Sequence, residues 1–268
     1  VWAVSYHGEV VHYDGQSWST SVTISGHLMT GIYASGPRDV WVAGRDGVIY
    51  HYDGAQWAQV DAGTPNSLHE IGGSSSTDVW AVGDGGTIVQ LDGQGFTTVD
   101  SGVTNDLRGV WGSDPDDLWA VAKYATLRWD GTDWSPLAGA PDELFKVWGS
   151  GPDDVWCSTV LREIHHHDPS GTWDATATGQ NVYNVWGFGP DDVWFSANDT
   201  VYHWDGHHWS FDDTLNGTLY GIWGSGPDDL WVVGTHGSIY HYDGQQWERW
   251  LPQPTNSAYW AVWGSGPE

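Results

Sequence analysis

One dipeptide recurs along the whole chain at almost constant spacing. Val or Leu followed by Trp, and preceded by Asp wherever a residue precedes it, recurs every 37 to 39 residues. The seven pairs are Val1-Trp2, Val40-Trp41, Val79-Trp80, Leu118-Trp119, Val155-Trp156, Val193-Trp194 and Leu230-Trp231. Self-similarity at a period of this size indicates an array of equivalent supersecondary units. Seven units, starting near residues 1, 40, 79, 118, 155, 193 and 230, account for all 268 residues, so we expect a single domain over 1–268.

Each unit contains four short runs of strand-forming residues separated by turn sequences. In the unit around residue 118, three runs cover 107–112, 118–122 and 125–129, and a fourth begins at Trp134. An Asp-Pro-Asp-Asp turn follows the first run, and Asp130-Gly131 follows the third. Proline fixes φ in the first turn, and glycine supplies a positive φ in the second. The pattern predicts an all-β fold, a seven-bladed β-propeller whose blades each have strands a to d, with strand a nearest the axis.

The two ends of the chain fall at complementary points of the repeat. Residues 1–4 match strand b, and residues 259–264 match strand a. We therefore expect one blade to combine three N-terminal strands with one C-terminal strand (3+1 closure), which closes the ring by hydrogen bonds and leaves no sheet edge exposed. A β-solenoid is the alternative architecture, but it needs capping ends, and the matched ends of this chain favour the ring.

Three tryptophan series follow the repeat and account for most of the 22 Trp residues. One is the Trp of strand b, one ends strand a (for example Trp148), and one starts strand d (for example Trp57). We expect all three to fill the space between twisted sheets, since replacing a buried Trp by Ala costs about 3–5 kcal/mol.

A histidine also recurs near the end of strand c. The members of this series are His12, His51, His166, His203 and His241. They belong to five different blades and cannot converge on one metal ion. Because buried polar groups are normally paired, we expect each imidazole to form hydrogen bonds within its own blade, with the repeated Asp or Trp.

The sequence lacks the motifs of common enzymes. It contains no Gly-x-Ser-x-Gly, His-Glu-x-x-His, Walker or dinucleotide-binding motif, and its single cysteine, Cys157, occupies a strand position typical of a small buried residue. We therefore expect a non-enzymatic protein without a metal or cofactor. Eight Lys and Arg against 35 Asp and Glu give a formal charge of −27, which disfavours nucleic acid as a partner. Membrane insertion is not expected, because no apolar run is long enough.

The connections of the repeat divide into a constant set and a variable set. The a–b turns (Gly-Pro-Asp-Asp type) and the c–d turns (Asp-Gly type) hardly change, whereas the b–c and d–a loops differ from unit to unit. Strand direction places the two sets on opposite faces, and function is expected to gather on the variable face. Aromatic residues also recur there, near the start of strand a. The predicted ligand-binding residues are Tyr6, His7, Arg45, Tyr124, Phe145, Tyr183, Tyr220, His236 and Trp260.

The repeat itself can be compared with known propellers. The pattern Val-Trp-Ala-Val-x-x-x-Gly-x-Ile followed by His-Tyr-Asp-Gly-x-x-Trp runs, with variations, over 79–96 and 230–247. It resembles the repeats of tectonin-like and related bacterial propeller lectins, and the Gly-Ser-Gly-Pro-Asp-Asp-Val-Trp repeats of secreted or lipid-anchored bacterial proteins. The resemblance implies a carbohydrate-binding protein with glycan partners, secreted or at the cell surface. The alternative is a protein-interaction or surface-assembly scaffold, with a protein partner and no sugar binding.

Overall fold

The repeat folds into a closed ring of sheets. The structure, a computed structural model, describes residues 1–212, 215–250 and 257–266. These residues form seven four-stranded antiparallel sheets, and the predicted seven-bladed β-propeller is confirmed. In the part of the chain that is described, no helix is long and apolar enough to cross a membrane.

The strand boundaries follow the repeat closely. In chain order, the strands of the first three units are β1 Trp2–Ser5, β2 Glu9–Tyr13, β3 Trp18–Thr23, β4 Met29–Gly36, β5 Asp39–Gly44, β6 Val48–Tyr52, β7 Trp57–Asp61, β8 Leu68–Ser75, β9 Asp78–Gly83, β10 Ile88–Leu91 and β11 Phe96–Val99. The next two units contain β12 Leu107–Asp114, β13 Asp117–Ala122, β14 Thr126–Trp129, β15 Trp134–Pro136, β16 Leu144–Gly151, β17 Asp154–Thr159, β18 Glu163–His167 and β19 Trp173–Ala177. The remaining strands are β20 Val182–Gly189, β21 Asp192–Ala197, β22 Val201–Trp204, β23 Trp209–Asp212, β24 Leu219–Gly226, β25 Asp229–Gly234, β26 Ile239–Tyr242, β27 Trp247–Trp250 and β28 Tyr259–Trp263. Short 3-10 turns at Asp84–Gly86 and Thr235–Gly237 follow β9 and β25.

The last strand closes the ring. Blade 1 has the strand order β28-β1-β2-β3, and blades 2 to 7 each take four consecutive strands. β28 pairs antiparallel with β1, so that Trp263 lies opposite Trp2 and Ala261 opposite Val4. The predicted 3+1 closure is therefore confirmed.

The strand-b tryptophans are at most 7% exposed, and a repeated polar cluster contacts several of them. In blade 2, Asp39 Oδ1 accepts a hydrogen bond of 3.1 Å from Trp41 Nε1 and lies 2.6 Å from His51 Nε2. The His51 ring stacks on Trp41 with 3.8 Å between the ring centroids. The same His–Asp contact recurs in three further blades, between His166 and Asp154, His203 and Asp192, and His241 and Asp229. The prediction that these histidines are paired within their own blades is confirmed for these four.

The strand-a tryptophans also contact one another around the propeller axis. Trp111, Trp148, Trp186 and Trp263 line the channel along the propeller axis. Trp186 of blade 6 and Trp263 of blade 1 meet edge to face with 5.0 Å between their centroids, although blade 7 separates them. This series therefore packs across the axis as well as between sheets, because strand a lies next to the axis, where side chains of several blades converge.

Close approach at the axis explains the recurring Trp-Gly dipeptide. A Cβ atom at Gly187 would lie 2.5 Å from Trp148 Cη2 of the preceding blade, and one at Gly149 would lie 2.7 Å from Trp111 Cη2. The indole of one blade therefore occupies the space that a side chain of the next blade would need. Cys157 is fully buried in β17, and burial raises the pKa of its thiol, as expected of a packing residue.

Replacing the carboxylate of the polar cluster should destabilise the fold. Asp229→Ala removes the acceptor of Trp231 Nε1, at 3.1 Å, and of His241 Nε2, at 2.7 Å. Because these groups lose a buried partner, we expect the free energy of unfolding to fall by about 2 kcal/mol, measured by urea denaturation. Asp228→Ala, at the exposed neighbouring position, is the matched control and should change it little. Equal losses in the two variants would contradict the role of the cluster.

The same cluster predicts how stability depends on pH. Burial raises the pKa values of Asp154 and Asp229, but hydrogen bonds from histidine and serine outweigh burial and lower both below the ordinary value. A lowered folded-state pKa contributes stability at pH values above the unfolded-state pKa of about 3.9, and this contribution is lost as the pH falls through the folded-state value. Thermal unfolding at pH 6 and pH 3 should therefore show a larger loss for the wild type than for Asp229→Asn. Identical losses of stability in the two proteins would show that the Asp229 carboxylate does not contribute to the pH dependence.

Candidate ligand-binding site

The two variable sets of loops lie on the same face of the propeller and are hydrogen-bonded to each other. The backbone amide of Arg45, in a b–c loop, donates to Leu28 O of the adjacent d–a loop at 2.8 Å. Equivalent bonds join Asp84 to Ser67 O and Thr235 to Thr218 O, both at 2.9 Å. The predicted separation of the loops into two faces is confirmed, and we call this one the variable face.

A cavity of about 260 Å³ opens on the variable face at the propeller axis. Seven of its lining residues are equivalent by the repeat, since each is the second residue of a strand a. In the order of blades 1 to 7, this axial ring consists of Trp260, Thr30, His69, Arg108, Phe145, Tyr183 and Tyr220. The ring is not mixed: its aromatic members come from the consecutive blades 5, 6, 7 and 1, and its polar members from blades 2, 3 and 4.

Six of the nine predicted ligand-binding residues line this cavity. They are Tyr6, Arg45, Phe145, Tyr183, Tyr220 and Trp260. The other three, His7, Tyr124 and His236, lie in b–c loops outside the lining. The Tyr124 residue is 59% exposed, and His236 is exposed in a left-handed backbone conformation with φ of 57°. The role of all nine in binding stays a prediction.

The aromatic side of the cavity is a continuous series of contacting rings, which we call the aromatic arc: Tyr183, Tyr220, Trp260 and Tyr6. Tyr220 and Trp260 stack almost parallel, with 4.5 Å between their centroids and 5° between their planes. Tyr183 meets Tyr220 edge to face at 5.2 Å, and Tyr6 lies 5.2 Å from Trp260. Each ring restrains its neighbour, so the arc is a pre-organised apolar wall.

The opposite side of the cavity carries polar groups that are held by loop carboxylates. His69 Nε2 lies 2.5 Å from Asp84 Oδ1, and Arg108 Nη2 donates to Asp106 Oδ2 at 3.1 Å. Burial and then the positive charge of Arg108 lower the pKa of His69, and the hydrogen bond to Asp84 opposes them. The imidazole is therefore favoured in its neutral form at pH 7. Arg45 lies between the two sides, with its Cζ 5.7 Å from the centroid of the Tyr6 ring.

A buried ion pair and an amide form the floor of the cavity. Lys146 of blade 5 contacts Glu70 of blade 3, and their side chains are only 13% and 16% exposed. Burial lowers the pKa of Lys146 to about 7, whereas the adjacent carboxylate favours its charged form. Asn184 completes the floor, and its Oδ1 accepts from the amide of Val185 at 2.8 Å. Beneath these residues lies a smaller axial cavity of about 60 Å³. It is too small for a drug-sized ligand.

Sequence reasoning missed the three floor residues, although the repeat contains a signal for them. They directly follow the axial-ring position, where four other blades have the small residues Gly31, Gly109, Gly221 and Ala261. Small residues fit there because neighbouring strands approach closely: a Cβ atom at Gly109 would lie 3.1 Å from Lys146 Cα. A long polar side chain at this position therefore has to extend toward the axis or a neighbouring blade. Glu70, Lys146 and Asn184 replace the small residue of the repeat and in this way indicate the site.

Three side chains at the edge of the cavity have the composition of a metal site. Ligand atoms of His69, Asp84 and Asp106 lie within 4.8 Å of one another. Two of these groups are already bonded to each other, and Arg108 occupies the third. The positive charge of the Arg108 guanidinium disfavours a bound cation, so we assign no metal to this cluster. Its hydrogen bonds instead orient the polar side of the cavity.

A second recess lies between blades 5 and 6, away from the axis. It has a volume of about 440 Å³ and is lined by Tyr202, Trp209 and Phe211 together with polar side chains such as Gln180. The Phe211 residue is 68% exposed. No predicted ligand-binding residue lies here, and we call this recess the inter-blade groove.

Comparison with known proteins identifies the fold and leaves the family open. No protein-family model and no curated protein matches the chain. Among solved structures, it is similar to YCF48 bound to D1 peptide, with 20% identity, a TM-score of 0.73 and coverage of 90% of this chain and 88% of that one. The WD40 β-propeller domain of Doa1 is 12% identical, with a TM-score of 0.75 and coverage of 99% and 91%. A catalytically inactive virginiamycin B lyase from Staphylococcus aureus, solved with quinupristin, is 14% identical, with a TM-score of 0.80 and coverage of 91% of each chain.

The floor of the cavity can be tested by breaking its ion pair. Lys146→Met leaves the carboxylate of Glu70 buried without its partner, so we expect the free energy of unfolding to fall by about 3 kcal/mol. The double variant Lys146→Met/Glu70→Leu removes both charges and should recover most of this loss in urea denaturation.

Lys123→Met is the matched control, since it removes the other lysine of the chain, which is 54% exposed in its pair with Glu143. We expect this variant to be close to the wild type in stability. A double variant no more stable than Lys146→Met would show that the two charges are not coupled.

Proposed function

We propose that the chain is a non-enzymatic carbohydrate-binding propeller and that the axial cavity is its binding site. The observation that carries the proposal is the aromatic arc, in which Tyr220 and Trp260 form a stacked pair in the cavity wall. Sugar rings have faces rich in C–H groups, and such faces pack well against aromatic surfaces, which offer a large apolar area with few rotatable bonds. A secreted or cell-surface location, which the repeat resemblance implies, would present this cavity to glycans.

The polar side of the cavity complements a hydroxylated ligand. Small-ligand sites are mainly apolar, with a few polar groups that fix orientation. Here His69, opposite the aromatic arc, and Asn184, in the floor, supply hydrogen-bonding groups. The cavity volume of about 260 Å³ is close to the lower limit of about 300 Å³ for small-ligand sites, which favours one or two sugar units over a long buried chain.

The titratable groups of the cavity are held in fixed pairs. Lys146 is paired with Glu70, His69 with Asp84, and Arg108 with Asp106. Each of these groups is held in place by a partner of opposite charge or by a hydrogen bond. Such pairs suit a rigid, pre-formed site.

A glycan array followed by calorimetry tests the proposal. We expect the wild type to bind at least one oligosaccharide, and Trp260→Ala and Tyr220→Ala to weaken that binding at least about tenfold, since about 1.4 kcal/mol of lost contact corresponds to a factor of ten. Phe211→Ala removes an exposed aromatic outside the lining of the axial cavity and should leave the affinity unchanged. Circular dichroism of each variant verifies its fold.

Two outcomes would overturn the proposal. One is an array on which no glycan binds, and the other is binding that survives both substitutions in the aromatic arc.

A protein partner is the second candidate, favoured by a different observation. Tyr124, Val160 and Leu161 are exposed apolar residues in the b–c loops of the neighbouring blades 4 and 5. The similar structure of YCF48 contains a bound peptide. A pull-down that captures a basic protein, with affinity that falls with salt and is lost in Leu161→Ser but kept in Trp260→Ala, would favour this function over carbohydrate binding.

A further inference from the structure

Basic side chains are concentrated at the axial cavity. The chain has only eight Lys and Arg residues against 35 Asp and Glu, yet Arg45, Arg108 and Lys146 all line this one cavity. Among the described residues, Glu70 is the one acidic member of the lining, and it is paired with Lys146. Arg45 and Arg108 are therefore the two guanidinium groups of this lining, in a molecule whose overall charge of −27 would repel anions elsewhere.

Arg45 is held beside the aromatic arc without a carboxylate partner. Its residue is exposed, and its Cζ lies 5.7 Å from the centroid of Tyr6, the last ring of the arc. Within the residues that the structure describes, Arg45 forms no salt bridge. A cation over an aromatic face is stabilised by the ring electrons, so this contact positions the guanidinium while its N–H donors stay available to a ligand.

Arg108 belongs to the polar half of the axial ring and is oriented by a loop carboxylate. Its Nη2 donates to Asp106 Oδ2, and Asp106 Oδ1 accepts from the amide of Gly85 at 3.0 Å. A guanidinium carries five N–H donors, so donors remain for a second acceptor after this bond forms. The side chain of Arg108 is 37% exposed and lines the cavity.

We infer that the saccharide bound in the axial cavity is acidic, with a carboxylate on the sugar ring that is recognised by Arg45 and Arg108. The inference rests on the proposed carbohydrate-binding function. Arginine matches a carboxylate with paired, charge-assisted hydrogen bonds, and the aromatic arc beside Arg45 receives the apolar face of the same sugar. Neutral sugars lack the group that these two arginines recognise, so they bind more weakly.

The test compares two ligands that differ only in charge. One is an oligosaccharide ending in glucuronate, and the other is the same oligosaccharide with the carboxylate reduced to a CH₂OH group. Calorimetry with the wild type should show that the acidic form binds at least about tenfold more tightly. This difference corresponds to the contribution of about one charge-assisted hydrogen bond. Arg45→Gln and Arg108→Gln should each remove most of this preference and change the affinity for the neutral form less than about twofold.

Arg162→Gln is the matched control, because Arg162 lies in the b–c loop of blade 5 on the same face but outside the cavity lining. This variant should keep the full preference for the acidic ligand. Melting temperatures of the three variants verify that each is folded.

Four other outcomes would overturn the inference, the assignment of the two arginines or the proposed function. Equal binding of the acidic and neutral forms would overturn the inference and leave the proposed function standing. A preference that persists in both cavity variants would overturn the assignment of Arg45 and Arg108. Absence of binding to any saccharide would overturn the proposed function itself. A peptide with a free C-terminal carboxylate that binds through the two arginines, while no saccharide does, would replace carbohydrate by polypeptide as the ligand.

Discussion

The convergence of seven innermost strands on one axis is the constraint on which the rest of this structure depends. Where neighbouring strands approach most closely, the chain has Gly31, Gly109 and Gly221, because a Cβ atom at these positions would lie 3.0 to 3.1 Å from the adjacent strand. The same crowding at the other end of strand a places the indoles of Trp111, Trp148 and Trp223 against a glycine of the next blade. A side chain that replaces a small residue at this level has little space except toward the axis. Glu70 and Lys146 use that space, and their ion pair closes the bottom of the cavity.

The two faces of the propeller have different physical roles. The Asp, His and Trp cluster recurs in blades 2, 6 and 7, where one Asp contacts both the indole of the strand-b tryptophan and the imidazole. The b–c and d–a loops on the variable face are joined mainly by backbone hydrogen bonds, which any side chain tolerates. Side chains at the mouth of the cavity are therefore free to differ between blades, and they do so in contiguous groups. The aromatic and polar halves of the axial ring are the result.

Much of this could be predicted from the sequence because propeller geometry converts repeat position into spatial position. Equivalent residues lie at equivalent distances from the axis, so the start of strand a predicted Phe145, Tyr183, Tyr220 and Trp260 as neighbours before any contact was known. His7, Tyr124 and His236 were grouped with them because they share the variable loops, but loop position along the sequence does not fix distance from the axis. The pairing of Glu70 with Lys146 was not predictable, since it joins two blades across a third and depends on the path of two long side chains.

A crystal structure of the protein with a bound oligosaccharide is the most direct test of this account. The account predicts a sugar ring packed against Tyr220 and Trp260 in the axial cavity, above the Lys146–Glu70 pair. A sugar found instead in the inter-blade groove beside Trp209 and Phe211, or on the face of the Gly-Pro-Asp-Asp turns, would contradict it.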